Sequence, residues 1–248
     1  MMSLEGSAVL TKGGITQSLK VGDLLKAGDT VEVRSGYLDL AYDTEWKNVT
    51  RILGKSKVKI RSIYPTQIGM ERGGILAKLR RLPKGSTFEV QTPTATAAVR
   101  GSEYFTEHRE GVTRVMNFSP SPVMVFGAAG SGKPGDRTVV EESKKTEVSG
   151  ADGLPKPPEK LSGEEVRAVR VQSESVDAAV EQCLKEGRVG KTQEIDRVEY
   201  DLLRKELDLA KFDMSKIEDN VERLTAMAAE KARQLSRLAE EKRKKGNA

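Results

Sequence analysis

The sequence predicts a mainly β N-terminal domain of many short strands, sandwich- or solenoid-like, followed by an α-helical hairpin or long coiled-coil C-terminal region. Three observations predict it. Apolar and polar residues alternate from Ser3 to about Val148, the period of strands with one wet face. Glycine- and proline-containing turn signals separate the alternating runs. Beyond Ser162 the period changes to threes and fours, and from Thr192 neither Gly nor Pro interrupts the chain until Gly246. The boundaries drawn from these shifts are 1–149 for the β domain, 150–161 for a Pro/Gly linker, 162–187 for a helix and 191–245 for a long heptad-bearing helix.

In the β part, Val31-Glu-Val33, Leu38-Asp-Leu40, Lys57-Val58-Lys59-Ile60-Arg61, Ile75-Leu-Ala77 and Phe88-Glu-Val90 each alternate. Ala27-Gly28-Asp29, Arg34-Ser35-Gly36, Arg72-Gly73-Gly74 and Pro83-Lys84-Gly85 read as the turns between them. No helical period interrupts this stretch, so a βαβ fold is not expected. The stretch Gly153-Leu-Pro155-Lys-Pro157-Pro158 blocks both helix and central strand and reads as a semi-extended linker.

Ser162-Gly-Glu-Glu165 is a capping box that opens the first helix. Val166, Val169, Val176, Val180 and Cys183 then give it an apolar stripe. In the second helix, positions a are Tyr200, Leu207, Met214, Val221, Ala228 and Leu235. Positions d are Leu203, Ala210, Ile217, Leu224, Lys231 and Leu238. Eleven of these twelve are apolar, the 3.5-residue repeat of a coiled coil. The expected seam is Tyr200, Leu203, Leu207, Met214, Ile217, Val221, Leu224, Leu235 and Leu238. Its partner is the first helix folded back, another copy, or a different protein.

Composition narrows the function. Of 248 residues, 37% are hydrophobic and 4% aromatic while 32% are charged, which suits one small packed domain plus a large solvated element. No run is long and apolar enough to span a membrane, and no charged-then-apolar leader opens the chain. Cys183 and His108 are the only residues of their types. That excludes an internal disulfide and a Cys/His zinc cluster, and it disfavours catalysis; no metal or cofactor is expected. Gly127-Ala-Ala-Gly-Ser-Gly-Lys133 resembles a phosphate-binding loop. However, Pro134 stands where Ser or Thr should hold magnesium, and Thr138-Val-Val140 reads as a strand where a helix should open. A glycine-rich connection between two strands is the expectation.

The net charge of +5 lies in the first part of the chain. Eleven basic residues lie between Lys47 and Lys84, against Glu71 alone. Lys55, Lys57, Lys59, Arg61, Arg80, Arg81 and Lys84 are a candidate face for an anion or an acidic partner. The plainer reading is a solvated strand face with lysines guarding sheet edges. No aromatic residues interleave with these cations to stack bases, so nucleic acid is not favoured.

Phe88-Glu-Val-Gln-Thr92-Pro93-Thr-Ala-Thr-Ala-Ala-Val99-Arg100-Gly101-Ser102-Glu-Tyr104-Phe105 resembles the signature of the FecR-type domain. The family has Thr where Ser102 stands and Phe where Tyr104 stands. Leu19-Lys-Val-Gly22-Asp23 and Ala27-Gly28-Asp29 are similar to the family's paired Gly-Asp strand entries, and the resemblance extends over about residues 4–148. The residues themselves read as structural. Pro93 suits a strand entry, Ala95–Ala98 suits close packing, and Gly101 suits a backbone geometry that side chains oppose. Arg100 is expected to be a half-buried hydrogen-bonding post, with anion binding as the alternative.

The resemblance implies an all-β module without catalytic activity, periplasmic or in the cell envelope. The alternative compartment is the cytoplasm. The expected function is a non-enzymatic envelope interaction, scaffold or signalling module. Its β domain contacts a protein or polymer partner, and its coiled coil mediates assembly with a protein or with itself. The alternative is binding of an anionic polymer, nucleic acid or acidic glycan, through the basic 47–84 face.

Overall fold

The computed structural model describes residues 1–80, 82, 86–128, 136–150 and 153–188. The heptad segment 191–245 lies outside the described residues, as do all nine seam residues from Tyr200 to Leu238, Arg81 and Lys84, and most of the glycine-rich 127–133 stretch. Within the described residues the N-terminal part is mainly β, as the alternation predicts. It contains fourteen strands and one helix.

The strands are β1 (Ser3–Lys12), β2 (Ile15–Ser18), β3 (Thr30–Ala41), β4 (Asn48–Leu53), β5 (Ser56–Ser62), β6 (Thr66–Leu79), β7 (Phe88–Gln91), β8 (Ala95–Val99), β9 (Glu103–Arg109), β10 (Val112–Asn117), β11 (Val123–Gly127), β12 (Arg137–Val140), β13 (Lys144–Ser149) and β14 (Glu159–Lys160), followed by α1 (Gly163–Lys185). All are hydrogen-bonded into one continuous sheet. Two strands change partners partway along. Residues 30–33 of β3 pair with β5, and residues 37–41 pair with β4. Residues 66–72 of β6 lie between β5 and β7, and residues 73–79 between β4 and β9. β1 follows β3 along both halves, with a register shift between Ser7 and Ala8. The sheet therefore has two leaves. The first runs β2-β1-β3-β5-β6-β7-β8-β11-β12. The second runs β1-β3-β4-β6-β9-β10-β13-β14. Every ladder is antiparallel except β6–β7.

The long strands correct two readings from the sequence. Arg34-Ser35-Gly36 and Arg72-Gly73-Gly74 are not turns between short strands. They are bends inside β3 and β6, where each strand passes from one leaf to the other. Gly36 has φ +71° and Gly73 has φ +109°. A Cβ on Gly36 would run into the Glu5 carbonyl, and one on Gly73 into the Ser56 side chain. Glycine is therefore required both by backbone conformation and by space. The Gly-Asp pairs, by contrast, do form turns. Asp23 Oδ2 accepts from the Lys20 amide, and Asp29 Oδ2 from the Lys26 amide, both at 2.8 Å.

The alternating residues fill the space between the leaves. Val31, Val33, Val58, Ile60, Ile68, Phe88, Val90, Ala97 and Val125 come from the first leaf. Leu38, Ile52, Ile75, Ala77, Tyr104, Val115 and Val148 come from the second. The small residues of β8, Ala95 and Ala97, are 0% and 1% exposed, which is the close packing expected of that run. β11 and β12 form an antiparallel pair on either side of the glycine-rich stretch, with β12 standing where a phosphate-binding loop would open a helix.

α1 lies against the outer side of the second leaf. Its N-cap is Ser162: Ser162 Oγ accepts from the Glu165 amide, and the Glu165 carboxylate accepts from the Ser162 amide. The capping box read from sequence is present. The chain reaches α1 along β13. The Lys156 amide donates to Glu147 O, Thr146 Oγ1 donates to Lys156 O, and β14 pairs with β13.

Candidate interaction surface

The outer side of the second leaf carries Met2, Val49 and Leu76, with Ala41, Trp46, Phe105 and Phe118 at the margins. Val169, Val176 and Cys183 of α1 pack on it. These three are spaced by seven residues, so one line of the helix faces the sheet along its length. Burial pushes the Cys183 thiol above its ordinary pKa, which favours an inert packing thiol over a nucleophile.

Charged residues lie within this apolar contact. Arg51 and Asp39 sit opposite each other in the β3–β4 ladder, and both side chains are fully buried. Arg51 Nε donates to Asp39 Oδ1 at 2.7 Å and Nη2 donates to Oδ2 at 2.8 Å. Ser3 Oγ donates to the same carboxylate at 2.5 Å. The guanidinium lies 3.6 Å from the centre of the Tyr37 ring. Its remaining Nη1 donates to O and Oε1 of Gln172 on α1, at 3.3 and 3.4 Å. A bidentate pair with its other donors also occupied is the arrangement that makes a buried ion pair tolerable.

Lys78, 7% exposed, is the second cation under α1. Its Nζ donates to Ser173 Oγ at 2.7 Å and to Ser173 O at 3.1 Å, and it lies 2.7 Å from Asp177. Arg80 Nη2 donates to the other oxygen of Asp177 at 3.0 Å. At the C-terminal end of α1, Trp46 Nε1 donates to Arg188 O at 3.0 Å. Trp46 holds a left-handed backbone, φ +56°. Asp43 supports that loop by accepting from the amides of Glu45, Lys47 and Asn48.

Of the signature residues, Phe88, Val99 and Tyr104 lie in the core between the leaves, whereas Pro93 is exposed. Phe88 and Tyr104 are 0% exposed. Phe88 meets Tyr42 edge to face at 5.5 Å. Burial raises the Tyr104 hydroxyl well above its ordinary pKa. Thr92-Pro93-Thr94-Ala95 is a tight turn between β7 and β8, closed by the Thr92 amide to Ala95 O at 2.8 Å and the Ala95 amide to Thr92 Oγ1 at 2.9 Å. Val99 is buried, and Gly101 has φ +154°. Ser102 is buried and donates to Ser121 O at 3.2 Å. Arg100 departs from the expectation: it is exposed, at the bend that leaves β8. The outward half of the strand alternation governs its position.

Thr113 connects this turn to the second leaf. Its hydroxyl lies 2.7 Å from Thr92 Oγ1, 2.6 Å from Thr94 Oγ1 and 2.8 Å from His108 Nδ1. Burial lowers the pKa of His108 below its ordinary value.

The five described residues of the candidate anion face, Lys55, Lys57, Lys59, Arg61 and Arg80, do not form one patch. Lys57, Lys59 and Arg61 alternate along the outward side of β5, on the first leaf, and Lys55 lies in the turn before it, exposed. Lys57 pairs with Glu71 at 2.7 Å, Arg72 pairs with Glu32 at 2.6 Å, and Arg61 donates to Gln91. Arg80 is instead held by α1. A pocket of about 290 Å³ opens beside Arg80 and Lys78, lined by Gly101, Ser102, Glu103, Ser119 and Ser121. Its hydroxyls are engaged locally, with Ser119 Oγ accepting from the Glu103 amide at 3.0 Å.

Sequence reasoning missed Asp39, Trp46, Gln172 and Asp177. The one available signal was a charged residue inside an otherwise apolar run, at Asp39 between Leu38 and Leu40 and at Arg51 before Ile52-Leu53. Nothing in one dimension shows that the two face each other or that a helix lies above them.

No curated protein is similar to this chain. Two crystal structures of a candidate anti-sigma factor from Parabacteroides distasonis, at 2.50 and 1.65 Å, resemble it with 15% identity and a TM-score of 0.45. Each covers 56% of this chain. The chain spans 62% and 63% of their lengths. The family model described as FecR protein matches residues 46–119, from the Trp46 loop through β10. The stretch that carries the signature, the Thr113 cluster and much of the face under α1 is therefore the part of the chain that is similar to the FecR family.

Proposed function

We propose that the chain is a non-enzymatic signalling module of the cell envelope that works by binding proteins. Its β body and α1 form the recognition part, and the heptad segment 191–245 assembles it with itself or with a helical partner. The FecR match at 46–119 carries this reading. The disposition of α1 supports the assembly half. Its apolar line is already packed on the second leaf, so the seam Tyr200–Leu238 needs a different partner. Among the described residues no helix is long and apolar enough to cross a membrane.

The test is solution mass by light scattering on the intact chain and on a chain ending at Arg188, which keeps Met2, Leu76 and Phe105 covered. The expected result is a dimer or larger for the intact chain, a monomer for the shorter one, and loss of assembly on Leu207→Pro with Leu224→Pro. Monomers for both chains would overturn self-assembly and leave a hetero-partner for the seam.

A further inference from the structure

We propose that the outer side of the second leaf is a docking surface for an acidic amphipathic helix of a protein partner, and that α1 is its tethered occupant, displaced when the partner binds. This rests on the reading that the module acts through proteins.

The receptor side is built independently of its occupant. Arg51 is fixed by Asp39, Ser3 and the Tyr37 ring, all on strands β1 and β3, and only its Nη1 is left over for α1. Removing the helix would leave the guanidinium in place with a donor aimed outward. Beside it lie the apolar residues Met2, Val49 and Leu76, and then Lys78 and Arg80 in a row. The surface therefore selects three things: an aliphatic line at seven-residue spacing, a polar residue level with Arg51, and a carboxylate level with Lys78 and Arg80. In α1 these are Val169-Val176-Cys183, Gln172 and Asp177. The charge complementarity favours an acidic helix over a neutral or basic one.

The occupant is held lightly for its length. Of 23 helical residues only Val169, Val176 and Cys183 are buried. Asp177, which takes both cations, has a half-exposed side chain. The pairs Lys185–Glu181 and Gln182–Glu186 and the cap bonds between Ser162 and Glu165 travel with the helix, while the Glu165 carboxylate also pairs with Lys145 of β13 at 2.7 Å, a contact that displacement breaks. A chain with Leu154-Pro155-Lys156-Pro157-Pro158 before it supplies the tether. An occupant in cis lowers the apparent affinity of a competitor by the fraction of time it is docked. The arrangement is therefore an autoinhibitory contact.

The experiment uses the full chain and a fluorescent peptide of residues 162–188 as the probe for an acidic amphipathic helix. Asp177→Lys in the chain should loosen α1, seen as faster amide exchange in 163–185 than in the strands and a shift of emission from Trp46, the one tryptophan. The probe should then bind the variant at least about tenfold tighter than the unmodified chain. Adding Lys78→Glu to the same chain should remove that gain, as should Asp177→Lys in the peptide. Val176→Asp, which puts a carboxylate into the Val49–Leu76 contact, is the second loosening variant. The proposal is overturned if both variants leave α1 as protected as the strands. Failure of a loosened chain to bind the probe, or binding that ignores Lys78→Glu, would overturn it equally. None of these results bears on the light-scattering test, so the two readings fail separately. An increase in mass of the loosened chain without probe would mean that α1 is exchanged between copies, which also overturns a hetero-partner.

Discussion

The two leaves carry similar basic residues and put them to different uses. On β5 of the first leaf, Lys57, Lys59 and Arg61 face outward at every second position. Lys57 has a half-exposed surface carboxylate, Glu71, as its neighbour. On β4 and β6 of the second leaf, Arg51 and Lys78 also occupy outward positions, but α1 covers them: Arg51 is tied to Asp39 and Gln172, and Lys78 to Ser173 and Asp177 of the helix. Strand periodicity treats the two sets alike, because alternation reports which side of a strand a residue is on and not whether that side is wet. The lesson is that a basic run in a sheet acquires its meaning from the element packed above it.

The sharpest test of this difference is Arg51→Met. It leaves the Asp39 carboxylate buried at 0% exposure without its cation, and losing one partner of a buried pair costs about 3–5 kcal/mol. Urea titration monitored by Trp46 fluorescence should show a loss of that order. Arg51→Met with Asp39→Leu should recover much of it, since an apolar replacement of both partners is close to neutral. A single-variant cost under about 1 kcal/mol would place Arg51 in the same class as the β5 lysines, where exposed pairs contribute that little.

The Thr113 hydroxyl is a second, smaller case of a buried polar group joining elements. Thr113→Val removes the shared partner of Thr92, Thr94 and His108 while keeping the shape. Leaving buried hydroxyls unpaired costs about 1–3 kcal/mol. Thermal unfolding should show the loss, and Lys57→Ala on the same chain should show almost none.

How much of this was legible follows from the same distinction. Alternation located the core sides of β3, β5, β6 and β7, because those residues fill the space between the leaves. The capping box at Ser162 was legible because it is closed within four residues. Glycine was misread at Gly36 and Gly73, since a positive φ serves a bend inside a strand as well as it serves a turn. Arg100 was misplaced because a conspicuous position in a signature says nothing about which way its side chain points. The Arg51–Asp39 pair and the Asp177 contact were invisible for a different reason. They join residues 12 and about 100 positions apart, and only a cross-strand register or a docked helix brings them together.

A pH series gives a finer reading of the buried side. His108 is 6% exposed, and burial lowers its pKa below the 6.5 of a free histidine. Below pH 6.5 the unfolded chain therefore binds a proton that the folded chain does not. Stability is fully present above 6.5 and declines as pH falls below it, by at most about 1.4 kcal/mol per pH unit for one group. Glu147 acts in a lower window. Hydrogen bonds from Arg114 and Lys156 hold it at about 2, so its contribution is lost between 4.5 and about 2. His108→Gln should flatten the decline near pH 6 and leave the lower one. An unchanged profile near pH 6 would show that the imidazole takes up its proton alike in the folded and unfolded chains.

The smallest expected effect lies on the first leaf and also separates the two functional readings. Lys59 is exposed, and the residues opposite it in the ladders are Thr30 and Gly69, neither of them charged. Lys59→Ala should change stability by no more than about 0.5 kcal/mol. If the module works through proteins, the variant should also leave weak retention on a polyanion column unaltered. If the β5 row binds an anionic polymer, each lost cation should weaken binding and lower the slope of log K against log salt by about one. Lys57→Ala and Arg61→Ala should then add to the effect, although their partners Glu71 and Gln91 lie on different strands. A slope that falls stepwise across these three variants, with stability constant, would make β5 a binding face and reverse the comparison between the leaves.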